Sequence, residues 1–187
     1  MGLISRTYSR IPIETIRYIP DPVKYTIMDN VIASAVGTGH SMALTSEGNL
    51  FAWGRNFEGQ VGSGTVDGAP YPHRAPYPIN IKAGVSAIAS GANNSAAITT
   101  NGSLYVWGMG HSGQIGNGYF INQHTPVKIM DNVAQVSISG GVFNVHILAL
   151  TTDGDLWGWG CNQFGQLGIS PDVLDRSSEP ILIRSGA

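Results

Sequence analysis

The sequence predicts an all-β fold of three four-stranded β-propeller blades, and its composition, repeats and turn chemistry support that prediction. Glycine accounts for 25 of the 187 residues, whereas charged residues make up only 12%. Average globular chains have about 7% glycine and about 25% charged residues. The excess of glycine therefore indicates many tight turns between short strands. A hydrophobic share of 42% is typical of a chain that buries a core, not of a disordered one.

One sequence unit occurs three times. Its most specific part, Gly-x-Leu-aromatic-x-Trp-Gly, covers residues 48–54, 102–108 and 154–160. A Gly-Gln-apolar-Gly turn follows each copy, at residues 59–62, 113–116 and 165–168. An Ala-apolar-Thr stretch precedes each copy, at residues 43–45, 97–99 and 149–151. Three patterns that recur in the same order indicate a repeat architecture.

Each unit predicts four strands in a fixed order. The first strand alternates apolar with small or polar residues, over 31–36, 85–90 and 133–138. The second and third strands flank a turn whose glycine accepts φ > 0. The second strand is predicted over 41–45, 95–99 and 147–151, and the third over 50–54, 104–108 and 156–160. The fourth begins at a proline, over 78–81, 126–129 and 180–183, and the first residue or outer edge of a strand tolerates proline. Four strands in about 50 residues is the length of a propeller blade.

The three predicted blades span about residues 31–82, 85–130 and 133–184, within a propeller region of residues 22–187. Residues 22–27 resemble the fourth strand of a further blade. Residues 1–21 lie outside the repeats, and they are too apolar for a flexible tail and too interrupted by proline for a helix. They predict an extended arm that docks onto another subunit or onto a larger particle such as a virion.

Three blades do not close a propeller, because closure takes about four to eight. Two apolar blade faces would stay open, and exposed patches of that kind mark interfaces. We therefore expect either a fragment of a longer protein or a ring that other chains complete. We favour two copies related by a two-fold axis, giving six blades, because the chain begins with Met1 and ends near the close of a blade.

The repeat unit resembles that of the regulator of chromosome condensation family. The resemblance rests on Gly-x-Leu-aromatic-x-Trp-Gly, on the Gly-Gln-apolar-Gly turn after it, and on a complete His-Ser-x-Ala-Leu-Thr stretch at residues 40–45. It covers about residues 22–187 and implies propeller blades, usually seven around a central channel. It also implies nucleotide exchange on a Ran-type GTPase, with chromatin as a further partner. The chain departs from the family in having three units and in a short insertion at residues 142–144.

No side-chain pattern in the sequence predicts an enzyme, a cofactor site or a metal site. Residues 108–113 fit G-x-G-x-x-G, but a dinucleotide site needs a helix after that loop, and no helical periodicity follows. The five histidines lack metal-ligand spacing. His40 and His146 share a position that Asn94 fills in the second unit, which favours a hydrogen-bonding bridge between strands. A single cysteine excludes an intrachain disulfide.

Charge and hydropathy argue against two further classes of partner. The net charge is −2 with 10 Lys and Arg residues, whereas a nucleic-acid binder needs a basic face to neutralise phosphates. No apolar run approaches the roughly 18 residues of a membrane span, and the amino terminus does not have the pattern of a secretory signal. These features predict a cytoplasmic chain or a component of a particle assembled inside the cell.

The connections after the Gly-Gln-apolar-Gly turns are long and differ in every unit. Loops on a fixed scaffold commonly carry binding residues, and aromatic and Arg side chains on proline-stiffened loops are typical of a protein-binding rim. The candidate protein-binding residues are Tyr71, His73, Arg74, Tyr77, Tyr119, Phe120 and His124. The alternative is that these loops only cover blade edges. Trp53, Trp107 and Trp159 are predicted to pack blade against blade.

The leading functional hypothesis is a non-enzymatic protein-interaction or structural module that presents variable loops and assembles with itself or with other proteins. One alternative is a guanine-nucleotide exchange factor for a Ran-type small GTPase, although the chain lacks the basic tails that chromatin attachment requires. A second alternative is a propeller that inhibits an enzyme or binds a glycan.

Overall fold

The computed structural model describes residues 28–64, 74–141 and 144–186, which form three antiparallel sheets of four strands each. The first blade comprises β1 (Val31–Val36), β2 (His40–Thr45), β3 (Leu50–Arg55) and β4 (Arg74–Lys82). The second comprises β5 (Val85–Gly91), β6 (Asn94–Thr99), β7 (Leu104–Gly108) and β8 (Gln123–Met130). The third comprises β9 (Val133–Ile138), β10 (His146–Thr151), β11 (Leu156–Cys161) and β12 (Arg176–Arg184). No helix in these residues is long and apolar enough to cross a membrane.

The hairpin between the second and third strands has the same geometry in every blade. The amide of Gly48 donates to the carbonyl of Thr45 at 2.9 Å, and Gly102 and Gly154 make the same bond at 2.8 and 3.1 Å. All three glycines have positive φ, between 79° and 89°, which only glycine adopts readily. The predicted hairpins are therefore confirmed.

The fourth strands begin earlier than the sequence indicated, at Arg74, Gln123 and Arg176. Their pairing with the third strands shifts register: Ala52 faces Ile79, whereas Gly54 faces Ala75. Four residues of β4 thus span two of β3, which is a β-bulge, and Pro78 lies inside it. Pro126 and Pro180 lie in the matching bulges of β8 and β12. Proline is tolerated there because the bulge interrupts the hydrogen-bond ladder.

The blades pack face to face through two hydrophobic clusters. One joins the first and second blades and contains Met42, Leu44, Leu50, Ala52, Val61, Ala75, Val85, Ala97 and Trp107. The other joins the second and third blades and contains Ala96, Ile98, Leu104, Val106, Ile115, Val133, Val136, Ile147, Ala149 and Trp159. Among the described residues, the second blade is therefore covered on both faces, and the other two blades on one face each.

The topology separates two ends of the array. One end, the hairpin end, carries the three tight turns between second and third strands and the short linkers between blades. The other, the loop end, carries the long connections between third and fourth strands. The predicted arm at residues 1–21, the strand at 22–27 and residues 142–143 of the insertion lie outside the described residues.

Candidate protein-interaction surface

The Gly-Gln-apolar-Gly turn is the contact point between neighbouring blades. The side chain of Gln60 closes its own turn, because Oε1 accepts a bond from the Glu58 amide at 2.9 Å. The carbonyl of Gln60 then accepts a bond from Trp107 Nε1 of the next blade at 3.0 Å. Gly62 lies under that indole, and a Cβ there would be 2.6 Å from Nε1. The last glycine of the motif is thus required by the close approach of a tryptophan.

The same contact recurs between the second and third blades. Gln114 Oε1 accepts a bond from the Ser112 amide at 2.7 Å, and the Gln114 carbonyl accepts one from Trp159 Nε1 at 3.1 Å. A Cβ on Gly116 would lie 2.7 Å from Trp159 Nε1. We call the contact of blades one and two the first junction, and that of blades two and three the second junction.

The three tryptophans predicted to pack between blades differ in burial. Trp107 and Trp159 are fully buried at the two junctions, whereas Trp53 is only partly buried because no described residue packs a blade in front of the first sheet. In the third blade, Gln166 Oε1 accepts a bond from the Phe164 amide at 2.7 Å, so this turn is closed in the same way. Its last glycine, Gly168, is exposed.

His40 bridges the first junction. Its Nε2 lies 2.8 Å from Ser95 Oγ and 3.0 Å from Ser90 Oγ, both in the second blade. Ser95 Oγ also donates to the Gln60 carbonyl at 2.8 Å, which links the histidine to the tryptophan contact. Burial lowers the pKa of His40 to about 4, so the ring is neutral near pH 7. The sequence predicted a bridge between strands, and this one joins strands of neighbouring blades.

Asn94 occupies the corresponding position at the second junction but turns back into its own blade. Its Nδ2 donates to the Met109 carbonyl at 2.6 Å and to the Trp107 carbonyl at 3.4 Å. The buried side chain of Ile147 stands where the first junction has Ser95. An apolar residue has therefore replaced the serine where asparagine has replaced the histidine.

Exposed apolar side chains gather at the loop end. Tyr119 is 63% exposed and Phe120 45% exposed in the connection before β8, and Tyr77 is 71% exposed on β4. The Arg176 guanidinium lies over the Phe120 ring at 5.0 Å, so the connection before β8 meets the start of β12 in the next blade there. Such Arg–aromatic stacking gives the surface a rigid, amphipathic patch.

The remaining predicted binding residues have different surroundings. Arg74 is exposed at the start of β4, next to Arg55 in the register of the sheet. His124 is half-buried against Gly59, where an added Cβ would clash with the imidazole ring, so it fills the first junction. Tyr71 and His73 lie outside the described residues.

The structure adds exposed apolar residues that the sequence analysis did not select. Each lies at the loop end and exposes about half or more of its side chain: Phe57, Ile121, Phe164 and Val173. Phe57 and Phe164 lie two residues and one residue before a Gly-Gln turn, at two positions that the repeat alignment could have marked as variable. We define the loop surface as Tyr77, Tyr119, Phe120, Ile121, Phe164 and Val173.

The described residues contain no group of three His, Cys, Asp or Glu side chains that could hold a metal ion. The G-x-G-x-x-G stretch begins at the end of β7, and turns follow it, not a helix. The helix N-terminus that a dinucleotide phosphate would need is absent from this described stretch.

Repeated four-stranded blades joined by Trp–Gln contacts define a partial β-propeller. Two sequence models of the Regulator of chromosome condensation (RCC1) repeat match the chain, one at residues 31–60, 85–114 and 136–166, the other at 47–98, 101–145 and 153–187. The chain belongs to this repeat family, as its motifs indicated.

Several characterised proteins are similar over most of the chain. The Ultraviolet-B receptor UVR8 of Arabidopsis thaliana is 29% identical, over 89% of this chain and 49% of the receptor. The human Regulator of chromosome condensation is 30% identical, over 82% of this chain and 36% of that protein. The human E3 ubiquitin-protein ligase HERC2 is 32% identical, over 80% of this chain and 3% of the ligase. The chain thus spans half or less of the length of these relatives.

Solved structures give the same fold. Human WBSCR16 superposes with a TM-score of 0.71 at 27% identity, over 82% of this chain and 39% of that one. Yeast Prp20p superposes with a TM-score of 0.69 at 22% identity, over 83% of this chain and 39% of that one. Both comparisons place the three blades within a larger propeller of the relative.

Proposed function

We propose that the chain is a non-enzymatic protein-binding module whose loop surface contacts the partner. The observation behind the proposal is the difference between the two ends of the blades. The hairpin end repeats one turn three times, whereas the loop end differs in every blade and exposes Tyr77, Tyr119 and Phe164 by 63% or more. A fixed scaffold with variable, aromatic-rich loops is the arrangement that protein-binding surfaces commonly use.

The side chains of the loop surface favour a partner with both apolar and charged groups. The phenyl ring of Phe120 and the guanidinium of Arg176 already stack, so they offer an ordered anchor. Acidic residues lie near Arg176 in the sequence: Asp172 and Asp175 are exposed on the connection before β12, and Glu179 is exposed on β12. A partner that presents an aromatic or aliphatic side chain flanked by basic residues would complement this patch.

Relatives with the same blades support a protein partner. One solved structure shows Kap60 bound to the yeast relative, and the study of Prp20p concerns its binding to Gsp1p and histones. These partners belong to those proteins. What carries over as a proposal is the kind of ligand, namely another protein.

Site-specific cross-linking tests the proposal. A photo-reactive phenylalanine analogue would replace Tyr119 at the loop end and, as the matched control, Asn101 at the hairpin end; both positions are exposed. In an extract of the source cells, position 119 should capture a discrete protein that position 101 does not. Excess Tyr119→Ser/Phe120→Ser protein should fail to compete, while excess unmodified protein should compete. Capture from position 101 alone would contradict the proposal.

Nucleotide exchange is the second candidate, favoured by the 30% identity to the human Regulator of chromosome condensation. The chain corresponds to 36% of that protein, so the activity itself is a proposal. If the chain catalyses nucleotide exchange, a concentration of chain well below that of a Ran-type GTPase should accelerate the release of a fluorescent guanine nucleotide from the GTPase. Stoichiometric binding without acceleration would favour the binding module instead.

The structural role in a particle depends on residues 1–21, which lie outside the described residues, and it stays a prediction. Deleting residues 1–20 should leave the blades folded and abolish attachment, so an unchanged sedimentation profile would contradict it. The enzyme-inhibiting or glycan-binding alternative also stays a prediction.

A further inference from the structure

The outer faces of the first and third blades expose residues whose counterparts in the other blades are buried at the junctions. Val31 is 44% exposed, whereas its counterparts Val85 and Val133 are each 2% exposed. Leu150 is 37% exposed, whereas its counterpart Ile98 is 3% exposed. Burial of such aliphatic side chains is stabilising, so both faces gain free energy when another sheet covers them.

The outer face of the third blade forms a cavity that no described residue fills. Its volume is about 190 Å³. The lining residues come from all three inner strands: Gln135, Ser137, Leu148, Leu150 and Leu156. Three of the five are leucines, which makes the cavity suited to an apolar insert.

The third blade also presents the groups with which the first blade holds the second. Gln166 and Gly168 correspond to Gln60 and Gly62 in the Gly-Gln-apolar-Gly turn. At the first junction the carbonyl and glycine of this turn receive the indole of Trp107. In the third blade the same turn is formed, but Gly168 is exposed and a Cβ there would meet only Ile183, at 3.8 Å.

The outer face of the first blade presents the complementary groups. Trp53 and Ser41 occupy the positions of Trp107 and Ser95, and both are only partly buried. Within the described residues, the first blade therefore presents a tryptophan face and the third blade a glutamine-turn face that no other described blade covers.

The polar residues of the two faces also match each other. At the first junction His40 meets Ser95, whereas at the second junction Asn94 is opposite Ile147. The outer faces would bring His146 against Ser41, which is the combination of the first junction. The second serine of that junction, Ser90, has Val36 as its counterpart, so one of the two histidine bonds would form.

We infer that the third blade of one copy receives the first blade of a second copy in a junction built like the first. Trp53 of the second copy covers Gly168 and donates through Nε1 to the Gln166 carbonyl, and Ser41 bonds His146. Two such junctions related by a two-fold axis join six blades into a ring, a number within the four to eight that propellers use. The inference is independent of the proposed function, because it concerns the blade faces and not the loop surface.

The short linker between blades at the hairpin end shows which residues must move when two copies form a junction. Between the first two blades, Gly84 lies beside the hairpin glycine Gly48. The Cα of Gly84 is 3.7 Å from a Cβ placed on Gly48. At the third blade Gly186 takes this place, 3.3 Å from a Cβ placed on Gly154. Asn30 of the second copy corresponds to Gly84, so Gly186 has to leave this position when the junction forms. Removal of residues 185–187 should strengthen association.

Light scattering with in-line chromatography tests the inference first. The purified chain should have twice the 19.8 kDa of one copy at micromolar concentration, and deletion of residues 185–187 should lower the dissociation constant. A folded monomer that persists at high micromolar concentration in both proteins would overturn the inference.

Two single-face variants distinguish this head-to-tail contact from a symmetric one. Trp53→Arg breaks the first-blade face and Leu150→Glu breaks the third-blade face, while neither residue lies at an inner junction. Each variant alone should be monomeric, with at least a tenfold weaker association. An equimolar mixture should recover a two-copy species, because one intact junction remains. Association of either variant alone, or no recovery in the mixture, would overturn the inference.

The matched control is Val173→Glu, which places the same charge on a 79% exposed apolar residue of the loop surface. It should keep the two-copy mass. Circular dichroism and melting of all variants should match the parent under conditions where each is monomeric, since the inner junctions are untouched. If Val173→Glu shifted the chain to the one-copy mass as fully as Leu150→Glu does, the association would be due to the loop surface instead.

Discussion

The two inner junctions share one contact and differ in another. Both place a tryptophan Nε1 on a glutamine carbonyl, at 3.0 and 3.1 Å, over a glycine without room for a Cβ. Only the first adds a histidine–serine bridge; the second has Asn94 and Ile147 instead. The comparison teaches that the Trp–Gln–Gly contact sets the spacing of the blades, whereas the polar pair can be exchanged as long as both partners change together.

Removal of an inner tryptophan should have the largest effect. Trp107→Ala leaves a large cavity at the first junction and should lower the free energy of unfolding by about 3–5 kcal/mol. Trp53→Ala removes a partly exposed side chain and should cost roughly half as much or less. Urea unfolding at one low protein concentration, where association does not contribute, measures both. Equal losses would show that the shared contact is not what holds the inner junctions.

Substitution of the glycine under each indole should cause the second-largest loss in the free energy of unfolding. Gly62→Ala and Gly116→Ala each place a Cβ within 2.7 Å of a tryptophan Nε1 at positive φ, and each should cost about 2–4 kcal/mol. Gly168→Ala has the same kind of φ but no indole above it, so it should cost about 1 kcal/mol in the monomer. Thermal unfolding of the three variants checks the order. Similar losses at all three sites would mean that backbone strain alone requires the glycine.

Conversion of the first junction into the second tests the exchange of the polar pair. Ser95→Ile alone removes one of the two serine partners of His40 and the donor to the Gln60 carbonyl, and it should destabilise by about 2 kcal/mol. Adding His40→Asn should recover about 1 kcal/mol of that loss, because the pair then matches Asn94 and Ile147. A double-mutant cycle in urea gives the coupling energy. Strict additivity would indicate that the two positions act independently.

Acidification should weaken the first junction through His40. The unfolded histidine takes up a proton near pH 6.5, whereas the pKa in the native state is about 4, so the unfolded state binds more protons between these values. The free energy of unfolding should therefore fall as pH falls from 6.5 towards 4, by about 1 kcal/mol at pH 5.5. His40→Asn should flatten this part of the profile. The exposed control His111→Asn should keep the slope of the parent, and an unchanged slope in His40→Asn would contradict the assignment.

The repeats made most of the fold predictable. Alternating strands and Gly-centred hairpins depend on local residues, so nine strands lie within about one residue of their predicted bounds. The starts of β4, β8 and β12 depend on a bulge against a neighbouring strand, and no local signal encodes that pairing. The same limit applies to the site. Aromatic loop residues were visible in the sequence, but the packing of His124 into a junction depends on Gly59 of the preceding blade, which is distant in the sequence.

The bulges that hold Pro78, Pro126 and Pro180 protect the molecule from aggregation. These prolines lie on the fourth strands, the outer edges of the three sheets, where an unpaired ladder could recruit strands from other chains. A proline offers no amide to such a strand, and a bulge twists the edge away from it. Edge-to-edge growth into fibrils is thereby discouraged at every blade, while the blade faces stay free to associate.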